Sequence, residues 1–254
     1  MTADAVLTAD LTGCAAGLIV AGDGITIDLN GHTVSGTQRG FGIAVGGRHG
    51  VTIQNGTVSR FRVGVGVSDS SDVTVRDMAL NDGHDGATFF RVTRGTMSGS
   101  SFSGNDASAT FAEDASVLRV VGNRASDNGA GFSGVDVAGG ILAGNVVRDE
   151  TFYGLIFLNA TGLTFEDNRF EGNGTVGMQI GGESSADDVV TRNRSLRNGA
   201  DGIEVAAPGS TLSRNTAFFN GGLGIDAAAG VLDGGGNHAK HNGAPAQCSG
   251  IACK

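Results

Sequence analysis

Asp82-Gly83-His84-Asp85 sets an imidazole between two carboxylates, and Arg60 and Arg62 precede it by one repeat of the chain. Histidine titrates near neutrality, and a neighbouring carboxylate holds its tautomer and raises its basicity. Arginines pair with a substrate carboxylate and acidify the carbon-bound proton beside it. Together these are the groups needed to abstract the C5 proton of a uronate. Asp82, His84 and Asp85 are therefore candidate catalytic residues, with Arg60, Arg62 and Asn105 as candidate substrate-binding residues. The competing reading makes Asp82 a turn residue and Arg60–Asp82 a surface ion pair of little energetic worth.

Other stretches also carry reactive groups. In Glu150-Thr151-Phe152-Tyr153-Gly154 two aromatics break a small-residue pattern, and Tyr153 is the only tyrosine in the chain. Tyr153 is a candidate acid or base and Phe152 a platform on which a sugar ring can stack; core filling by one of them is the alternative. Tyr153 lies three repeats from His84, roughly 14 Å by strand spacing, which suits neighbouring subsites and not a shared proton transfer. Strand alternation projects Gln179, Glu204 and Asp226 from equivalent positions, with Asp136 joining if its turn holds two extra residues. Glu204 and Asp226, roughly 5 Å apart, suit a retaining glycosidase pair or a hard cation such as calcium. Solubilising surface charge is the other reading of that column. Arg48, His49, Arg91 and Arg94 occupy another set of turns, as a rim for an anionic ligand or as solvated loops.

What positions all of these is a repeat. A polar turn residue recurs at Asn30, Asn55, Asp77, Ser100, Asn123, Asn145, Asn168, Asn193, Asn215 and Asn237, at intervals of 22 to 25 residues. Five residues further on, a second column reads Ser35, Arg60, Asp82, Asn105, Asn128, Glu150, Asn173, Asn198, Asn220 and Asn242. A period in this range, tolerant of small insertions, is that of a solenoid. No copy has room for a long amphipathic helix. The copies hold short alternating runs such as Val51-Thr52-Ile53 and Leu163-Thr164-Phe165, bounded by Gly and Asn, which read as strands and turns. Three short strands per coil fit the period, and stacking the coils turns each column of asparagines into a hydrogen-bonded ladder. Asparagine also tolerates the left-handed backbone of such corners.

Composition agrees. The chain has 254 residues with 45 glycines, two prolines and no tryptophan, without a collagen period. A net charge of −9 with no basic stripe argues against a nucleic-acid partner, and no apolar run approaches membrane-spanning length.

Ala9-Asp10-Leu11-Thr12-Gly13-Cys14, the segment from Gly24 to Val34, and the recurring Asn-Gly-x-x-Gly-Ile/Met segments at Asn173, Asn198 and Asn220 resemble right-handed parallel β-helix repeat proteins. That family is related to pectate lyases and to carbohydrate-binding and sugar-hydrolase β-helices. The resemblance covers nearly the whole chain and implies an all-β, single-domain right-handed parallel β-helix of about ten coils. Residues 1–24 then form an N-terminal cap and first strand, 25–242 the coils, and 243–254 a C-terminal cap. It also implies action on a polysaccharide, as a lyase or an epimerase. Asp82-Gly83-His84-Asp85 is similar to the epimerases' Asp-Pro-His-acidic motif, with Gly83 where that motif has proline. An isomerase or cyclase acting on a small hydrophobic metabolite, and a non-catalytic glycan-binding or structural module, are the two alternatives. An apolar pocket beside His84 would favour the former.

Cys248 and Cys253 can close a small loop that pins the last coil, and a disulfide is expected there, with a reduced pair as the alternative. Cys14 is left over. The start Met1-Thr2-Ala3-Asp4 lacks the features of a signal peptide. An extracellular protein with a trimmed leader and a cytoplasmic one starting at Met1 both remain open, as does the oligomeric state. No cofactor is implied apart from the calcium option.

Overall fold

The computed structural model describes residues 1–254 and contains strands, bridges and turns but no helix. There is thus no helix long and apolar enough to cross a membrane. Thirty-one short strands wind into a parallel β-solenoid. One face is an eleven-stranded sheet, which sets the coil count at one more than the copies seen in the sequence. The other two faces form a single twenty-stranded sheet, because the strands Thr52–Ser59 and Thr74–Asn81 run through the corner between them. Pairing is parallel throughout, and each residue meets its equivalent one coil on, as in Ile27↔Ile53 and Ile53↔Val75.

Alternation along each strand sends one set of side chains inward, where 50 buried residues make one continuous core. Its largest members include Phe61, Phe102, Phe132, Phe157, Phe165 and Phe170, all essentially inaccessible. At the C-terminus, Cys248 and Cys253 are joined by a disulfide, while Cys14 is a free thiol.

Corners are where such a coil is vulnerable, because a tight bend leaves backbone groups facing the core without a strand partner. Two asparagine ladders supply those partners. Asn145 Oδ1 accepts the backbone N–H of Asn123 (2.9 Å) and its Nδ2 (3.1 Å). Asn145 Nδ2 in turn donates to the Val120 carbonyl and to Asn168 Oδ1, both at 2.9 Å. The same pattern runs through Asn168, Asn193, Asn215 and Asn237, and in the second ladder through Asn105, Asn128, Asn173, Asn198, Asn220 and Asn242.

The structure corrects the register of both columns at their start. The left-handed residue is the one before the ladder position: Gly122, Gly144, Asp167 and Arg192 have φ of 66°, 63°, 53° and 56°. Asn30, Asn55 and Asp77 belong to that exposed left-handed column (φ 51°, 60° and 54°), as do Arg60 and Asp82 (φ 56° and 57°). The ladder places in those coils are taken by other residues. Met78 N–H donates to Ser100 Oγ, and Gly83 N–H donates to Asn105 Oδ1. Asp82 is therefore not the ladder residue of its coil; Gly83 is.

One ladder position holds an acid. Glu150, 2% exposed, accepts the Asn128 N–H through Oε2 at 2.6 Å, with Asn128 Nδ2 3.3 Å from Oε1. Burial pushes its carboxyl up to about 7, against the bonds from Asn128. Asp188, 1% exposed, plays a similar part at another corner, accepting the Leu163 N–H at 2.8 Å, and burial pushes it up to about 6.

Asn145→Ala leaves a buried N–H and a buried carbonyl without partners, and we expect a loss of roughly 3 kcal/mol or more in denaturant unfolding. For Glu150 the folded value lies above the unfolded one. The stability it permits is complete below about pH 4.5 and is lost as pH rises through about 7. Glu150→Gln should therefore match wild type in thermal unfolding at pH 4 and exceed it at pH 8, by on the order of 2–3 kcal/mol.

Candidate active site

The outer surface of the eleven-stranded sheet brings the chemistry-bearing residues into register. Asp85 opens the strand Asp85–Phe90 and pairs with Val63 on one side and Ser108 on the other. Ser108 pairs with Ala130, and the N–H of Gly131 donates to the carbonyl of Tyr153 in the next coil. Asp85 and Tyr153 thus stand in one column three steps apart, roughly 14 Å.

His84 sits at the end of the preceding turn. Its backbone N–H donates to the Arg62 carbonyl at 2.9 Å, which stacks Arg62 directly beneath it. His84 Nδ1 lies 3.0 Å from Asp85 Oδ2, with the His84 side chain 52% exposed and that of Asp85 only 16%. A carboxylate accepts but does not donate, so neutral His84 is assigned the Nδ1–H tautomer, which leaves the lone pair of Nε2 facing outward.

Beside this pair the sheet surface is recessed. Arg62, Val63, Asp85 and Thr88 line a hollow of about 360 Å³ with Gly40 and Phe41. Phe41 also walls an adjoining apolar groove of about 250 Å³ that includes Ala44, Val67 and Phe90. The ring of Phe41 lies close over Gly66: a Cβ there would meet Phe41 Cδ1 at 2.4 Å. Phe41 and Thr88 were not singled out by sequence. The available signal was Gly66, a glycine at an outward position, which marks the close approach of another group.

Other expected participants lie elsewhere. Arg60 and Asp82 stand exposed at the left-handed corner, and no ion pair joins them. Asn105 is 1% exposed and spends its amide on Gly83, Leu80 and Asn128, so it cannot reach a substrate. Phe152 is 54% exposed and Tyr153 half-buried. Gln179, Glu204 and Asp226 do share an outward column, with Gln179 Nε2 donating to Glu204 Oε2 at 3.0 Å. Asp136 does not join it. The residue at that level is Ser133, and Asp136 lies at the next corner, accepting from Asn159. Arg91 and Arg94 offer no anion rim either. Each is held in a two-bond pair by the aspartate one coil below, Asp69 and Asp72. No group of three or more His, Cys, Asp or Glu side chains converges as a metal site would require.

A model of the right-handed β-helix region matches residues 9–140 and 95–243. The chain belongs to the right-handed β-helix family. Among solved structures of this β-helix type, the periplasmic alginate epimerase AlgG is similar with a TM-score of 0.77. It is 13% identical, over 93% of this chain and 69% of that one. The catalytic domain of a GH87 α-1,3-glucanase in complex with nigerose is similar with a TM-score of 0.58. There the identity is 15%, over 98% of this chain and 60% of that one. No curated protein sequence matches this β-helix. At such identities the likeness establishes the fold.

The tautomer is directly measurable. In long-range ¹H–¹⁵N spectra at high pH, His84 should carry its proton on Nδ1. Asp85→Ala should return it to the mixture dominated by Nε2–H that free imidazole side chains adopt.

Proposed function

We propose that this β-helix protein is a carbohydrate-active enzyme that transfers a proton on a uronate-type glycan laid across the eleven-stranded sheet. The reading rests on one observation above all: His84 is hydrogen-bonded to Asp85 beside a hollow that Arg62 and Phe41 also line. The fold-level likeness to an alginate epimerase and an α-1,3-glucanase agrees with a glycan substrate.

In this reading a sugar ring packs on Phe41 with its carboxylate against the Arg62 guanidinium, which favours the charge that develops on that carboxylate. Nε2 of His84 takes the C5 proton, and the C5–H electron pair delocalises into the carboxylate as an enolate. Asp85 stabilises the imidazolium that results and keeps the ring oriented. Collapse of the enolate with expulsion of the 4-linked oxygen, which takes a proton from solvent water, forms a C4=C5 double bond, the lyase outcome. Delivery of a proton from solvent water to the opposite face of C5, with His84 returning its own proton to solvent, gives the epimer. Tyr153 and Phe152 serve subsites further along the axis, and Arg60 meets the chain at the corner.

A second reading, an isomerase or cyclase on a small apolar metabolite, is favoured by the apolar groove of Phe41, Ala44, Val67 and Phe90. Turnover separates the two. A panel of uronate polysaccharides should yield unsaturated products by ultraviolet absorbance or C5 proton exchange by NMR. His84→Ala should lower kcat by about 10²-fold or more, and Asp85→Asn should lower it less. Activity unchanged in His84→Ala would remove His84 from the mechanism. Inactivity on every glycan, with or without calcium, would leave the small-molecule reading or a binding module.

A further inference from the structure

A different face of the solenoid gathers cations in a chain that is acidic as a whole. The short strands Ser101–Ser103, Arg124–Ser126, Val146–Arg148, Arg169–Glu171 and Arg194–Leu196 stack in parallel register. Their middle residues point inward, and Phe102, Ala125, Val147 and Phe170 are buried. The flanking residues therefore point out, and four successive coils present Arg124, Arg148, Arg169 and Arg194, all exposed. Arg124, Arg169 and Arg194 share one column, with Val146 in the coil between the first two, and Arg148 stands in the column beside it with Ser126 and Glu171. An open groove of about 480 Å³ is lined by Arg124, Arg148 and Arg169 together with the serines Ser101, Ser103 and Ser126.

Three of these arginines are free, where several others on the surface are paired. Arg91, Arg94 and Arg192 are neutralised by aspartates stacked one coil below. Arg124, Arg148 and Arg194 have no ion-pair partner. Glu171, the one acid lining the groove, is shared by Arg169 and Arg197 and so leaves an excess of positive charge. Asp127 and Asp149 stand at the corner beyond and pair with none of these arginines. At the corner beside this face stands Phe219, 53% exposed, whose ring stacks on His241 and lies 6.0 Å from the Arg197 guanidinium.

We propose that this arginine-serine groove is a second binding site, distinct from the His84 face, for a carboxylate-bearing polysaccharide lying along the solenoid axis. Guanidinium groups match carboxylates in paired hydrogen bonds, and serine hydroxyls suit the sugar hydroxyls between them. The groove crosses four stacked strands, from Ser101 to Glu171, a span that suits a polymer better than a small anion. The cations alternate between two neighbouring columns as the coils advance, Arg124 and Arg169 in one and Arg148 in the other, which spreads positive charge along the axis, and a net charge of −9 weighs against a nucleic acid in their place. Phe219 offers a flat ring for a terminal sugar.

The test is titration of a long oligogalacturonate, its carboxyl-reduced neutral counterpart and oligo-thymidylate into the full chain carrying His84→Ala, which suppresses turnover. The oligogalacturonate should bind, more weakly as salt rises. Adding Arg124→Ala and Arg148→Ala should raise Kd about tenfold or more. Both arginines are exposed and unpaired, so the variant should unfold at the wild-type temperature. Tyrosine emission separates the two faces, because the chain has one tyrosine and no tryptophan. A Tyr153 response that survives in the arginine variant, while overall affinity falls, assigns the lost binding to the groove. An unchanged Kd in that variant, equal binding of the neutral counterpart, or equal binding of the thymidylate would each overturn the proposal.

Discussion

Every corner of this solenoid must bury backbone N–H and carbonyl groups that no strand can pair, and the rest of the structure depends on how that is solved. An asparagine amide has one acceptor and two donor hydrogens, enough to take up the N–H of the coil before it and cap a carbonyl behind it. Because each amide also bonds its own equivalent one coil on, the solution is shared along the axis. The inward-facing aromatics and aliphatics then add apolar burial, but the ladders fix the register in which they stack.

That register has a chemical consequence. Residues far apart in the chain come within one strand spacing of each other when they occupy equivalent places, so a site is written down columns. Arg62 under His84, and Arg169 under Arg194 on another face, are groupings that the coil repeat creates. A single inserted residue breaks such a grouping. Between Asn105 and Ser108 the turn is one residue longer than between Gly83 and Asp85, so Asp106 and Ala107 together replace His84 at the next level.

The period and the polar turn residues made the solenoid legible, and the adjacency of His84 and Asp85 needed no folding to be seen. The first coils were harder. A polar residue in the left-handed place and one in the ladder place look alike in sequence, and they are neighbours. Asp82 and Asn55 therefore read as ladder members until the hydrogen bonds showed Gly83 and Gly56 in that position. Arg91 and Arg94 looked available because their partners, Asp69 and Asp72, are separated from them by a whole coil. Asn105 looked like a site residue because burial is invisible where every neighbour is polar. The Phe41 hollow depends on a ring folding back over Gly66, which no periodicity encodes. The arginine groove did leave a trace, in the dipeptides Asn123-Arg124, Asn168-Arg169 and Asn193-Arg194. Their asparagines drew the attention that belonged equally to the residues after them.

A stack of coils behaves as a one-dimensional lattice, in which each unit is held by its two neighbours and by nothing else. Glu150 sits inside that lattice between Asn128 and Asn173, the one place in the second ladder where ionisation puts a buried charge. The destabilisation that follows in alkaline solution is therefore centred on one coil and is felt first by the two coils that stack on it.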